Sequence, residues 1–246
     1  MVFHPHGRSQ QGKVLHHEFS YSRGDAAEDV LENFTRMAAA LGVERDRMVV
    51  SHQTHTVNLR RVTQEDAGKG VVRERDYRDI DGLITDVPGL TLVTFYADCV
   101  PLYLLDPVNR AIGLSHSGWR GTVKRMGQVT VDAMKEAFGT KPEDLIACVG
   151  PSICRECFEV GGEVVEEFRK AFEPEYWEEL YCQGKRPGKY QLDLWKANEI
   201  IFREAGIRRE NIHITNICTM CNSDYLFSHR KVGEERGNLA AFLCLR

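Results

Sequence analysis

Three β-rich apolar runs dominate the middle of this chain: Leu90–Tyr96, Val100–Leu105 and Ala111–Leu114. β-branched and aromatic residues fill them, with too little polar alternation for a sheet wetted on one side. They are expected to be central strands buried on both faces, which commits the chain to a layered fold with sheet inside. The polar residues that interrupt this tract then stand out. Asp98 and Cys99 separate the first two runs, and Ser115-His116 closes the third. A carboxylate in such surroundings is costly to bury unless it is paired or has a task.

The flanks supply the other layers. Val30, Phe34, Met37 and Leu41 recur at helical spacing and Gly42 stops them, which predicts a helix from about Ala26 to Leu41. Met48–Ser51 and Thr56–Val62 read as strands around a His52–His55 turn, Glu65–Arg78 as a surface loop, and Gly82–Ile84 as a short strand before the Pro88-Gly89 turn. A helix is expected from about Thr122 to Phe138, a buried strand at Leu145–Val149, and helices at about Gly162–Phe172 and Leu194–Ala205. Ile212–Ile217 and Leu239–Leu245 are expected late strands. Strands outnumber helices and alternate with them only in part, so the class is α/β of the mixed (α+β) kind, a layered fold. With 246 residues, one domain over 16–246 is expected, after a loosely ordered segment 1–15 rich in His, Gln, Gly and Lys.

Bulk properties exclude several classes. The net charge is −4, and the basic clusters Arg73-Glu74-Arg75 and Arg208-Arg209 have acidic neighbours. That argues against a nucleic-acid footprint. The opening Met1-Val2-Phe3-His4-Pro5-His6 has no signal-peptide core, and no apolar run is long enough to span a bilayer. A cytoplasmic protein is the expectation, and nothing demands more than a monomer. The eight cysteines are then better read as packing, metal or catalytic residues than as disulfides.

His55, Cys99 and His116 each sit where a strand-like run meets a polar turn. Two imidazoles and a thiolate suit zinc, and three protein ligands leave one position open, as in catalytic rather than structural sites. Taken singly, each has a plainer reading: Cys99 as a packed thiol, His116 as a satisfied buried histidine. Asp98 is a candidate to orient a metal-bound histidine or to take a proton. After His116, the run Ser117-Gly118-Trp119-Arg120-Gly121 leads into a helix, so backbone N–H groups and the Arg120 guanidinium can meet an anion. His52 is expected to support the metal ligands from behind or to be structural, His229 to line a pocket or a surface hairpin, and His4, His6, His16 and His17 to be solvated. Cys154-Arg155-Glu156-Cys157 and Cys218-Thr219-Met220-Cys221 form a rival signal, a four-thiolate structural zinc site, although the pairs lie farther apart than in compact zinc ribbons.

Gln53-Thr54-His55, Ala97-Asp98-Cys99 and His116-Ser117-Gly118-Trp119-Arg120-Gly121 together resemble the bacterial laccase-domain family, also called multicopper polyphenol oxidoreductase and peptidoglycan editing factor. The similarity continues through Asp81-Gly82-Leu83-Ile84-Thr85, Gly150-Pro151-Ser152-Ile153 and Phe158-Glu159-Val160, and closes with Leu226-Phe227-Ser228-His229-Arg230. It covers nearly the whole chain from about Ser20, and residues 1–15 supply no clear equivalent of the family's opening strand. The resemblance implies a layered sandwich akin to the catalytic domain of cytotoxic necrotizing factor toxins. It also implies metal ligation by His55, Cys99 and His116. The implied substrates are adenosine, inosine, guanosine and methylthioadenosine, with phosphorolysis and deamination as the reactions. Within that frame Asp98 and Cys99 are the catalytic candidates, and Arg120 and Gln53 the candidate substrate contacts.

Three chemistries remain in contention. A zinc-dependent purine nucleoside phosphorylase and adenosine deaminase needs one open metal site, a carboxylate for protons and a phosphate grip. A copper polyphenol oxidase needs a histidine-rich cluster, and only His116, His213 and His229 follow His55; copper can still compete for the single site. A metal-free hydrolase or amidase acting on cell-wall precursors would use Cys99 as nucleophile and His116 as base. A non-catalytic metal- or partner-binding domain is the further alternative.

Overall fold

The computed structural model describes residues 26–246 and, before them, the backbone of two antiparallel strands, Gly7–Arg8 and Val14–Leu15. The expected loose order of 1–15 and the readings of His4, His6, His16 and His17 otherwise lie outside the described residues.

Four layers stack in the order helix, sheet, sheet, helices. The outer helix Ala27–Leu41 ends where Gly42 turns left-handed (φ 65°) and its N–H returns to the Ala38 and Ala39 carbonyls. Its Val30, Phe34 and Ala38 pack on Met48, Val50, Val93, Ala240 and Phe242. Those residues belong to a three-stranded sheet in which Thr91–Tyr96 pairs antiparallel with Leu239–Cys244 and parallel with Met48–Val50. The other face of this sheet offers Leu92, Tyr96, Leu239 and Ala241 to Leu83, Ile112 and Leu114 of a second, six-stranded sheet. That sheet runs in the order Ile212–Ile214, Ile146–Val149, Val100–Asp106, Ala111–Ser117, Gly82–Thr85, Leu59–Arg61. Its first and last pairings are parallel and the three between them antiparallel. Val100, Leu102 and Leu104 then face Met126, Val131, Met134, Ile201 and Phe202 from helices Met126–Phe138 and Leu194–Glu204. Alternate residues of one strand thus serve opposite layers, which is why the central runs carry no polar face. The expected mixed, layered sandwich is the fold observed.

Local differences have local reasons. The helix expected over Thr122–Phe138 is two helices, Trp119–Val123 and Met126–Phe138, because Arg125 between them adopts φ 61°. A left-handed arginine is not visible in a hydrophobic pattern. The Ala111 strand continues through Ser117, so His116 is a strand residue paired with Pro101 rather than the first residue of a turn. Thr56–Val62 contracts to the strand Leu59–Arg61, and Ile212–Ile217 to Ile212–Ile214. A small antiparallel sheet of Glu159–Gly161, Lys189–Leu192 and Tyr181–Gln183 went unread, since its strands are three or four residues long and polar in part. Among the described residues, no helix is long and apolar enough to cross a membrane.

Candidate metal centre

The two sheets deliver three side chains to one point. His116 rides near the end of a fully buried strand. Cys99 lies in the tight turn between Thr91–Tyr96 and Val100–Asp106. His55 stands in the loop after Met48–Val50, in a left-handed conformation (φ 64°). One ligand atom from each lies within 4.8 Å of the other two. Cys99 Sγ is 3.9 Å from His55 Nε2, and the two imidazole rings meet edge-on with centroids 4.9 Å apart. His116 is buried, Cys99 half-buried and His55 exposed, so the cluster opens on the His55 side.

Asp81 holds this arrangement together. Fully buried, it accepts a hydrogen bond from His116 Nδ1 at 2.8 Å. Its carboxylate also accepts from the main-chain N–H groups of Thr54, His55 and Thr56, at 3.1, 3.1 and 2.8 Å, and from Thr56 Oγ1 at 2.7 Å. One side chain therefore fixes the left-handed His55 loop and the His116 ring at once. With Nδ1 committed to Asp81, the other ring nitrogen of His116 is left to the Cys99 side, the pattern of a carboxylate-supported metal histidine. Burial raises the Asp81 carboxyl, but His116 and Thr56 outweigh it and hold its pKa at about 2. Burial pulls the His116 imidazole down, yet the Cys99 thiol and Asp81 lift it to about 9. Burial likewise pushes the Cys99 thiol up, and His116 and His55 bring it down to about 6.

Gly118 completes the cradle. A Cβ there would stand 2.9 Å from Cys99 Sγ and 3.2 Å from His55 Cδ2. Its backbone is extended (φ −71°, ψ 178°), so glycine is required for space and not for conformation. Two nitrogens, a sulfur, a carboxylate behind one ring and room kept clear beside the sulfur fit a zinc-type ion.

A small cleft of about 130 Å³ borders the cluster, lined in part by Asp98, Cys99, Trp119, Phe158, His229 and Arg230. Arg120 stacks its guanidinium on Trp119, 4.4 Å from the ring centroid, and Arg230 lies 5.2 Å over Phe158. Two aromatic rings and the Arg230 guanidinium thus line one opening, with Arg120 against the Trp119 ring.

Residues 2–246 match the family described as multi-copper polyphenol oxidoreductase laccase. The chain belongs to that family. It is 32% identical over 226 residues to the purine nucleoside phosphorylase YlmD of Bacillus subtilis, covering 90% of this chain and 79% of that protein. It is 34% identical over 215 residues to adenosine deaminase RL5 from an unknown prokaryotic organism, covering 87% and 81%. The crystal structure of YlmD from Geobacillus stearothermophilus has the same fold, with a TM-score of 0.90 at 32% identity over 100% of this chain and 90% of that one.

In this laccase-family chain the sequence-predicted residues divide into groups. His55, Cys99 and His116 converge. Asp98 does not reach His116: its Oδ1 accepts from Thr219 Oγ1 at 2.6 Å and its Oδ2 from the Arg230 N–H at 2.7 Å. The carboxylate that orients the buried histidine is Asp81 instead. Gln53 gives its amide to a neighbouring strand, donating to the Phe95 carbonyl and accepting from the Phe95 N–H, both at 2.7 Å. His52 Nδ1 accepts from the Asp79 N–H at 3.0 Å. Arg120 is the second residue of a helix of only five residues, too short for a dipole to add much. Cys154, Cys157, Cys218 and Cys221 form a second cluster, also within 4.8 Å. The missed residues are Asp81 and Gly118. The signal for Asp81 was present, a lone acid opening the apolar run Gly82-Leu83-Ile84.

Proposed function

We propose that this chain is a zinc-dependent purine nucleoside enzyme, acting on adenosine, inosine, guanosine or methylthioadenosine by phosphorolysis and on adenosine by deamination. The observation that carries it is the convergence of His55, Cys99 and His116, backed by Asp81, at the edge of an aromatic and cationic cleft. Relatives named for both reactions support a purine nucleoside enzyme.

Each residue then has a task. His55, Cys99 and His116 would hold the ion, and a zinc with one open position supplies Lewis acidity and a bound water of near-neutral pKa. Trp119 and Phe158 offer faces for the base, where stacking contributes about 1–3 kcal/mol. Arg120 grips phosphate by charge-assisted hydrogen bonds. Asp98, a carboxylate of the cleft beside Cys99, holds or moves a proton at the reacting nitrogen or oxygen. Gln53 we assign to fastening the His55 loop against Phe95. Copper can occupy the same donors. Among the described residues, however, only one cluster of potential ligands contains histidine, which does not make a multicopper set.

The deciding experiment is incubation of metal-loaded protein with adenosine and phosphate, followed by separation of products. Adenine with ribose phosphate, and inosine with ammonia, are expected; none of these refutes the reading. Activity that survives thorough metal removal points instead to Cys99 acting as a free nucleophile. Asp98→Asn is expected to lower kcat by about 10²–10⁴. An unchanged kcat and pH profile would remove Asp98 from the chemistry. Arg120→Ala is expected to raise the KM for phosphate roughly tenfold or more, as loss of a charge-assisted bond does, while deamination continues. Equal loss of both activities would speak against a phosphate grip.

A further inference from the structure

We propose that Cys154, Cys157, Cys218 and Cys221 hold a second zinc ion, a structural one, that fastens two loop segments beneath the active cleft. The four sulfurs lie within 4.8 Å of one another, although Cys157 and Cys221 are 64 positions apart in the chain. Four sulfurs on a tetrahedral zinc, each at about 2.3 Å, stand about 3.8 Å from each other. Small side-chain rotations therefore bring this set onto an ion. None of the eight cysteines is in a disulfide.

The backbone is arranged as tetrathiolate turns require. The Cys157 and Phe158 N–H groups both return to the Cys154 carbonyl, at 3.2 and 3.0 Å, which makes the first pair a tight turn. In the second pair the Cys221 N–H donates to Cys218 Sγ at 3.4 Å, and the Cys154 N–H reaches the same sulfur at 3.3 Å. Two main-chain donors on one sulfur suit a thiolate ligand rather than a packed thiol. The turns are laced side by side: the Ser152 N–H donates to the Ile217 carbonyl and the Thr219 N–H to the Ser152 carbonyl, each at 3.1 Å. Cys154 and Cys218 are buried, whereas Cys157 is half-buried and Cys221 exposed, so an ion can enter from that side.

This cluster is coupled to the cleft through single residues. Ile153, next to Cys154, donates its N–H to the Asp98 carbonyl at 3.0 Å. Thr219, next to Cys218, donates to the Asp98 carboxylate. Both turns thus grip the peptide that presents Cys99. Ile153, Phe158, His229 and Arg230, which line the cleft, come from the same two segments. Without an ion, four thiols crowded at one edge of the small sheet add little to hold these segments. With one, the loop from Ile214 to Leu239 is cross-linked to the Cys154 turn.

The test is a metal count that does not depend on any substrate. Full-length protein made with zinc, kept reduced and dialysed against metal-free buffer should carry about two zinc per chain, since there are two ligand clusters. His55→Ala/His116→Ala should retain one, and with cobalt should show the strong thiolate-to-metal absorption of a four-sulfur site. Stripping that last ion should lower its melting temperature, and zinc but not magnesium should restore it. Cys157→Ser/Cys221→Ser should lose one equivalent. If that variant does not fold, the histidine variant still decides. A histidine variant that folds but binds no zinc overturns the proposal, as does a Cys157–Cys221 disulfide in protein carrying a single zinc.

Discussion

Asp81→Ala is expected to unload the metal centre and destabilise the fold together. The substitution leaves His116 Nδ1, three main-chain N–H groups and the Thr56 hydroxyl without their acceptor. Breaking a buried, hydrogen-bonded pair of this kind costs about 3–5 kcal/mol. Losing the carboxylate behind a metal histidine typically lowers metal affinity by about 10–100-fold. Both should appear in one variant, by denaturant unfolding and by competitive metal titration. Asp81→Asn should fall between, because an amide oxygen can accept but its NH₂ faces donors. A parent-like affinity in Asp81→Ala would show that the His55 loop and the His116 ring are positioned by other contacts.

The same pair sets a pH dependence for the metal-free protein. The Asp81 pKa is depressed from 3.8 to about 2, so its contribution is complete above the ordinary carboxylate value and is lost as pH falls through about 2. The His116 pKa is raised from 6.5 to about 9, first by Cys99 and then by Asp81, so its contribution is complete below 6.5 and is lost as pH rises through about 9. The Cys99 pKa, lowered from 9.0 to about 6, contributes with the opposite sign over that same alkaline range, so the uncompensated dependence is the acid one: stability from Asp81 should be complete above about pH 4 and decline below it. Unfolding followed across pH should show that acid-side decline, and Asp81→Ala should flatten it.

Gly118→Ala is expected to do the opposite in kind: metal binding suffers while the fold survives. The glycine has an ordinary extended conformation, so alanine adds no backbone strain and slightly restricts the unfolded chain. Its new methyl would sit 2.9 Å from Cys99 Sγ, inside contact distance. The sulfur must move, and the ligand set with it. We expect roughly a 10-fold or greater loss of metal affinity, the scale of disturbed ligand support, at a melting temperature close to the parent's. A variant that binds metal as the parent does would place the sulfur's required position elsewhere.

Much of this was legible in the chain. The buried strands showed in the unbroken apolar runs, because a strand covered on both faces has no polar side to display. The layered class followed from them. The meeting of His55, Cys99 and His116 was legible only as three separate oddities, two of them with a plain alternative, joined by resemblance to a family. The break at Arg125 and the short polar sheet around Tyr190 were not legible, since neither a left-handed arginine nor a three-residue polar strand leaves a periodic trace.

What the sequence determined by itself was the pattern of burial and the inventory of donors: two imidazoles, a thiolate, stray acids and paired cysteines at strand ends. Only the tertiary structure decided their partners. Asp81 rather than Asp98 supports His116, and Cys154 and Cys157 meet Cys218 and Cys221, because antiparallel and parallel pairing bring together residues far apart in the chain. Hydrophobic periodicity is a local property that the chain carries openly. The direction of a hydrogen bond between distant strands depends on register and crossover, which no local pattern encodes.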